Sequence, residues 1–220
     1  MKKYQLALFD IDGTIADTSE GVINCVKYTE YKMNLPPLDA DTYKKFIGPP
    51  NREAYGRYYG LTESRLSRAV GFHKAYALDK GIFEAKLYPG IRSILDCLKR
   101  GEVLMAAATL KQQEAAEKML RYLGIDEYFI VVSGDRGESV DKRGLICRCL
   151  METGVCEKDA VLIGDSRYDQ AGAAESGIDF IGVTYGFGFR REDDLKSLPY
   201  IMAAQDTEEI HRLFEEEKKL

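Results

Sequence analysis

The run Leu6-Ala7-Leu8-Phe9-Asp10-Ile11-Asp12-Gly13-Thr14 restricts the fold more than any other part of the chain, because an unrelieved apolar strand runs into two carboxylates spaced two apart. A strand of that composition belongs inside a parallel sheet covered on both faces. Charge is costly there, so Asp10 and Asp12 fit only at the strand's carboxyl end, the edge where open α/β sheets bind ligands. Gly13 lets the chain turn sharply at that point. A period of two sends both side chains from one face of an ideal strand, so one can attack a shared substrate while the next moves a proton on it. Taken alone, Asp-x-Asp-Gly-Thr reads equally as a solvated turn after a strand.

Apolar, β-rich runs recur at residues 4–9, 103–108, 129–132, 160–163, 180–183 and 200–203. Segments 91–100, 112–123 and 143–153 carry apolar residues at helical spacing and are followed by Gly101, Gly124 and Gly154 at helix-stop positions. This alternation predicts an α/β fold, a doubly wound parallel sheet with helices on both faces. One gap breaks it. About 80 residues separate the first strand from Tyr88-Pro89-Gly90, far beyond the usual connection of a few residues. Within the gap, residues 19–33, 41–46, 53–59 and 62–78 read as helices broken at Pro36-Pro37 and Gly48-Pro49-Pro50. The expectation is a core of residues 1–16 and 88–220 with an inserted all-helical cap of residues 17–87. A last segment, 207–218, places Ile210, Leu213 and Phe214 on one face as a packing helix.

A chain of 220 residues holds one full core plus a smaller attached domain. Its net charge of −5, with no basic stripe, argues against general nucleic-acid binding. An anionic substrate would then need local positive charge, which magnesium and one or two lysines can supply in a cleft. Five cysteines at no ligand-like spacing read as reduced thiols, and Cys147 and Cys149 point away from each other on one helix. Met1-Lys2-Lys3-Tyr4 leads straight into the first strand without a long apolar segment or cleavage site. The expectation is a cytoplasmic protein with no membrane partner, a monomer or homodimer.

Doubly wound folds bring successive strand ends together, so the polar residues closing each apolar run form a set. Strand one ends in Asp10 and Asp12, strand two in Thr109-Leu110-Lys111, and strand four in Gly164-Asp165-Ser166-Arg167-Tyr168-Asp169, while Lys142 opens the helix after strand three. In order and spacing these four segments resemble the motifs of the haloacid dehalogenase-like hydrolase superfamily, and the resemblance covers essentially the whole chain. Phe46-Ile47-Gly48-Pro49-Pro50, Leu87-Tyr88-Pro89-Gly90-Ile91 and Gly182-Val183-Thr184-Tyr185-Gly186-Phe187-Gly188 resemble its phosphoglycolate phosphatase and 5'-nucleotidase-like branch. Two departures stand out: leucine at 110, where serine or asparagine often precedes the lysine, and an uncommon loop at 133–141.

The resemblance implies a magnesium-dependent phosphomonoester hydrolase acting on a small phosphorylated metabolite through an aspartyl-phosphate. Asp10 would be the nucleophile and Asp12 the acid and then base, with its backbone carbonyl also on magnesium. Asp165 is the expected remaining carboxylate ligand, and Asp169, one helical turn on, an orienting or water-mediated one. Without the other motifs, both read as helix-start carboxylates beside a capping Ser166. Thr109, Lys142 and the backbone amide of Leu110 would bind the phosphoryl oxygens. A strand-end threonine and a surface lysine are the plain alternatives for the first two. Arg52 is a candidate for gripping the leaving group, and Asp17 either touches substrate or builds the hinge. His73 and His211 read as ordinary helix residues, and Tyr55, Tyr58 and Tyr59 as cap packing. Alternatives are a 5'-nucleotidase, a sugar-phosphate mutase that returns its phosphoryl group, and a non-enzymatic module that binds a phosphorylated ligand. A dehalogenase fits poorly, since departing chloride needs no proton from Asp12.

Overall fold

The computed structural model describes residues 4–137 and 140–216. Residues 1–3, Glu138 and Ser139 of the loop before Lys142, and the last two positions of the helix expected at 207–218 lie outside them. In chain order come β1 (Leu6–Phe9), β2 (Ala16–Asp17), α1 (Ser19–Met33), α2 (Ala40–Lys44), α3 (Asn51–Tyr59), α4 (Glu63–Asp79), β3 (Lys86–Leu87) and α5 (Ile91–Arg100). Then follow β4 (Leu104–Gln112), α6 (Gln113–Tyr122), β5 (Val131–Asp135), α7 (Lys142–Thr153), β6 (Ala160–Gly164), α8 (Arg167–Ser176), β7 (Asp179–Val183), β8 (Met202–Ala204) and α9 (Thr207–Glu216).

The six long-range strands form one sheet in the order β5-β4-β1-β6-β7-β8, paired in parallel throughout. Both faces are covered, which is why β1 is buried at all four positions. Ala7, Phe9, Met105, Ala107, Val161 and Ile163 pack under α5, α6 and α9, whereas Leu6, Leu8, Ala106, Ala108 and Leu162 pack under α7 and α8. The period of two in these strands therefore divides one apolar sequence between two layers. This is the doubly wound α/β architecture expected from the sequence.

Between β1 and α5 the chain builds α1–α4, with an apolar cluster of their own around Val26, Phe46, Tyr55, Leu61 and Ala69. Glu30 is buried among them, accepting from Tyr43 Oη at 2.9 Å and Tyr59 Oη at 2.5 Å. Such a carboxylate costs little to bury because its hydrogen bonds are made. The chain enters and leaves this helical unit through β2 and β3, an antiparallel pair that registers Ala16 against Leu87 and Asp17 against Lys86. Two polar contacts join the unit to the sheet domain farther out: Tyr168 Oη donates to Glu53 Oε2 at 2.7 Å, and Lys74 pairs with Asp135 at 3.5 Å.

Candidate active site

All four strand-end segments meet at the carboxyl edge of β1, β4 and β6. Asp10 and Asp12 follow β1 directly, and a bridge between Asp12 and Ala16 holds the turn in which Gly13 takes a φ of 79°. A Cβ on Gly13 would collide with the Asp165 carboxylate, so glycine is required for backbone and close approach alike. Asp165 directly follows β6, and its Oδ2 accepts the backbone N–H groups of Phe187 at 2.6 Å and Gly188 at 3.0 Å. Asp169 closes a capping box at the start of α8: Ser166 donates to Oδ2 through its N–H at 3.0 Å and its hydroxyl at 2.5 Å. Its other oxygen lies 2.6 Å from Lys142 Nζ.

Lys142 is the first residue of α7 and 4% exposed. Its ammonium lies 3.0 Å from Asp10 Oδ1 and donates to the carbonyl of Ala108 at 2.8 Å. A cation at a helix N-terminus works against the macrodipole by about 0.3–1 kcal/mol, and burying it costs more, so the two carboxylates are what keep it there. Gly172 of α8 makes room for its stem, since a Cβ there would stand 2.6 Å from Lys142 Cγ.

Burial raises the Asp10 carboxyl to about 7; Lys142 opposes that rise, while Asp169 and Asp12 add to it. Burial, then Asp169 and Asp10, raises Asp165 to about 8 against the pull of its two amide donors. Lys142 stays above its ordinary range because Asp10 and Asp169 outweigh the cost of burying it. One carboxylate oxygen from each of Asp10, Asp165 and Asp169 lies within 4.8 Å of the others. With all three carboxylates ionised, one ammonium would leave two negative charges uncompensated, and the donors are all hard oxygens. That set fits a small divalent cation such as magnesium.

Thr109 is 1% exposed, and its Oγ1 accepts the Lys111 N–H at 3.3 Å in the last residues of β4, where the pairing with β5 shifts register. Leu110 stands beside Asp12 on the wall of a small cavity under the helical unit. Asp17 is exposed and accepts from the Ser19 N–H and hydroxyl at 3.0 and 2.6 Å, fastening the start of α1 at the β2 crossing. Arg52 donates to Ser67 within the helical unit at 3.3 Å and lines an outer cleft with Leu110 and Asp135, away from the carboxylate cluster. Two further residues at the site have no role in the motif pattern. Lys111 pairs with Asp12 at 3.1 Å, and His73 of α4 faces the same cavity as that pair. Lys111 was readable as the third residue of its strand-end segment; nothing in the periodicity of α4 marks His73.

Buried carboxylates gathered around one buried lysine at the carboxyl edge of a doubly wound sheet form an arrangement suited to phosphoryl-transfer chemistry. Residues 7–183 match the model of the haloacid dehalogenase-like hydrolase family, and the chain belongs to it. A 5'-nucleotidase of Pseudomonas aeruginosa is 32% identical over 198 residues, 89% of this chain and 88% of its own length. A phosphoglycolate phosphatase of Agrobacterium fabrum is 28% identical, covering 83% of this chain and 81% of its own. The crystal structure of a "predicted phosphatase" from Clostridium acetobutylicum superimposes with a TM-score of 0.90 at 31% identity, over 98% of this chain and 100% of that one. The chain is thus a phosphatase-type enzyme of this family. Among the described residues no helix is long and apolar enough to cross a membrane.

Proposed function

We propose that the protein is a magnesium-dependent phosphomonoester hydrolase that acts on a small phosphorylated metabolite through an aspartyl-phosphate on Asp10. The observation that carries this reading is the Lys142 ammonium lying 3.0 Å from Asp10 and 2.6 Å from Asp169, next to Asp165, with Asp12 two residues along the chain. Asp10, Asp165 and Asp169, with the Asp12 carbonyl, would hold magnesium, which when bound offsets repulsion between the carboxylates and the phosphate. An Asp10 oxygen forms a bond to phosphorus as the bond from phosphorus to the ester oxygen breaks, and Asp12 gives that departing oxygen its proton. Asp12 then takes a proton from water, whose oxygen attacks phosphorus and frees Asp10 and inorganic phosphate. Thr109, the Leu110 amide and Lys142 neutralise and orient the phosphoryl oxygens in both steps.

In this reading residues 1–16 and 88–220 are the catalytic core, and residues 17–87 are a cap that shuts over it, hinged at β2 and β3 beside Asp17. Arg52 serves as a contact for larger leaving groups. The substrate is phosphoglycolate-like, with a nucleoside monophosphate the second reading because the Pseudomonas aeruginosa relative is a 5'-nucleotidase. The unpaired thiols of Cys25, Cys97, Cys147, Cys149 and Cys156 accord with a cytoplasmic setting. The test is a phosphate-release screen over sugar phosphates, nucleoside monophosphates and phosphoglycolate, with and without magnesium. Release should require the metal and vanish in Asp10→Asn; persistence in that variant would remove Asp10 as nucleophile.

A further inference from the structure

The leaving oxygen must sit beside Asp12, because Asp12 supplies its proton. Asp12 borders a cavity of about 60 Å³, floored by Asp12, Leu110 and Lys111 and roofed by Asn51, His73 and Lys74 from the helical unit. A single water needs about 10–15 Å³, so this space admits a group of a few heavy atoms and no nucleoside. Wider clefts flank it. Gly48 and Pro49 also border one of about 620 Å³ on the Asp165 side, and Asn51 and Lys74 also border one of about 640 Å³ on the β5 side. The helical unit therefore stands over the acid as a narrow neck between two open spaces.

The neck is also selective in charge. Lys111 is committed to Asp12 at 3.1 Å with its side chain 14% exposed. Lys74 is held more loosely, 3.5 Å from Asp135 with about a third of its side chain in solvent (32%), a pairing weak enough to be exchanged for a ligand anion. His73 is 4% exposed, and its Nδ1 lies 3.1 Å from the hydroxyl of the fully buried Tyr55, which fixes the imidazole in the roof. Both lysines have a carboxylate partner and burial holds His73 neutral, so the cation free to meet a ligand anion is Lys74, by exchange of its longer and more exposed pairing with Asp135.

We infer that His73 and Lys74 are specificity-determining residues, which close a leaving-group pocket selecting compact monoesters with an anionic head over nucleotides and over neutral-headed esters. This deepens the phosphatase reading and rests on it. His73 sets the length the pocket accepts, and Lys74 meets the acid group of the alcohol that departs.

The experiment compares kcat/KM for phosphoglycolate, ethyl phosphate and adenosine 5'-monophosphate in wild type, Lys74→Met and His73→Ala. Wild type should prefer phosphoglycolate to both others. Lys74→Met should lower the phosphoglycolate to ethyl phosphate ratio about tenfold, the loss of one charge-assisted contact. His73→Ala should raise the nucleotide to phosphoglycolate ratio; because it also strips Tyr55 of its partner, Lys74→Met, at a position about one third exposed (32%), supplies the arm that keeps its fold. Ratios unmoved within twofold in both variants, or a wild type that prefers the nucleotide, would overturn the pocket. Asp10→Asn separates the two readings, since residual turnover there refutes the hydrolase mechanism itself and leaves the pocket assignment without its basis.

Discussion

Replacing Lys142 with methionine removes the one cation that the Asp10 and Asp169 carboxylates share and keeps the length of the side chain. Wild-type Lys142 makes three contacts of 2.6–3.0 Å, to Asp169, Ala108 and Asp10. Breaking a buried pair by deleting one partner costs about 3–5 kcal/mol, and a chain of this size has a reserve of about 5–15. The variant should therefore fold and melt roughly 6–20 °C lower, at about 2–4 °C per kcal/mol. Loss of the positive charge against the transferring phosphoryl group should lower kcat about 10²–10³-fold. The destabilisation has a pH signature. Asp10 already titrates near 7 with Lys142 beside it, and without the ammonium its folded-state value rises further above the unfolded one. A carboxyl raised by folding is most compatible with the fold when protonated, so stability falls as pH rises through the folded value. Melting followed by circular dichroism in EDTA should show a larger deficit at pH 8 than at pH 6, and magnesium should recover part of it at pH 8. A deficit below about 2 °C at pH 8, or one that grows toward acid, would refute the charge argument.

Other outcomes follow from neighbouring contacts. Gly172→Ala adds a Cβ 2.6 Å from Lys142 Cγ and 2.8 Å from Lys142 Cβ, so it should cost about 1–3 kcal/mol by overpacking, although alanine favours a helix by about 1 kcal/mol, and should lower kcat by displacing the ammonium; a stabilised, fully active variant in melts and phosphate-release assays would contradict this. Burial, helped by Lys111 and Lys74, lowers His73 to about 3, so the neutral ring favours the fold above the unfolded value near 6.5 and that contribution is lost as pH falls toward 3. His73→Gln should accordingly flatten the acid limb of the stability profile relative to wild type in paired denaturant titrations. Magnesium at about 100 times its Kd should raise wild-type stability by about 2.7 kcal/mol, and Asp165→Asn should erase most of that rise in calorimetry.

How much of this was legible in the sequence depends on how locally each feature is encoded. The apolar run 4–9 and its two carboxylates specify β1 and its ligand-binding end without outside help, and the gap before Tyr88 announces the helical insertion by length alone. The convergence of Asp10, Lys142 and Asp169 followed from topology, since parallel crossovers bring the strand ends to one edge. Asp169 joins the two readings the sequence offered: one oxygen caps α8 through Ser166 and the other meets Lys142, so helix start and active site are one structure. Less visible were features whose signal is short or polar. β2 and β3 are two residues each, too short for a period, and they exist because the insertion must cross into and out of the core at one place. Apolarity places β5 at 129–132, but the strand runs Val131–Asp135, because Ser133-Gly134-Asp135 follow β4 past its register shift toward Gln112, where pairing rather than apolarity holds the strand. His73 lies on a helix whose buried residues include Leu66 and Ala69, and from sequence it belongs with them as core. Only the docking of α4 above the β4 end turns it toward Asp12 and Lys111. Residues that a fold carries at strand ends can be found by pattern, whereas residues brought to a site by packing one unit on another depend on the shapes of both, and these are the ones that choose between substrates.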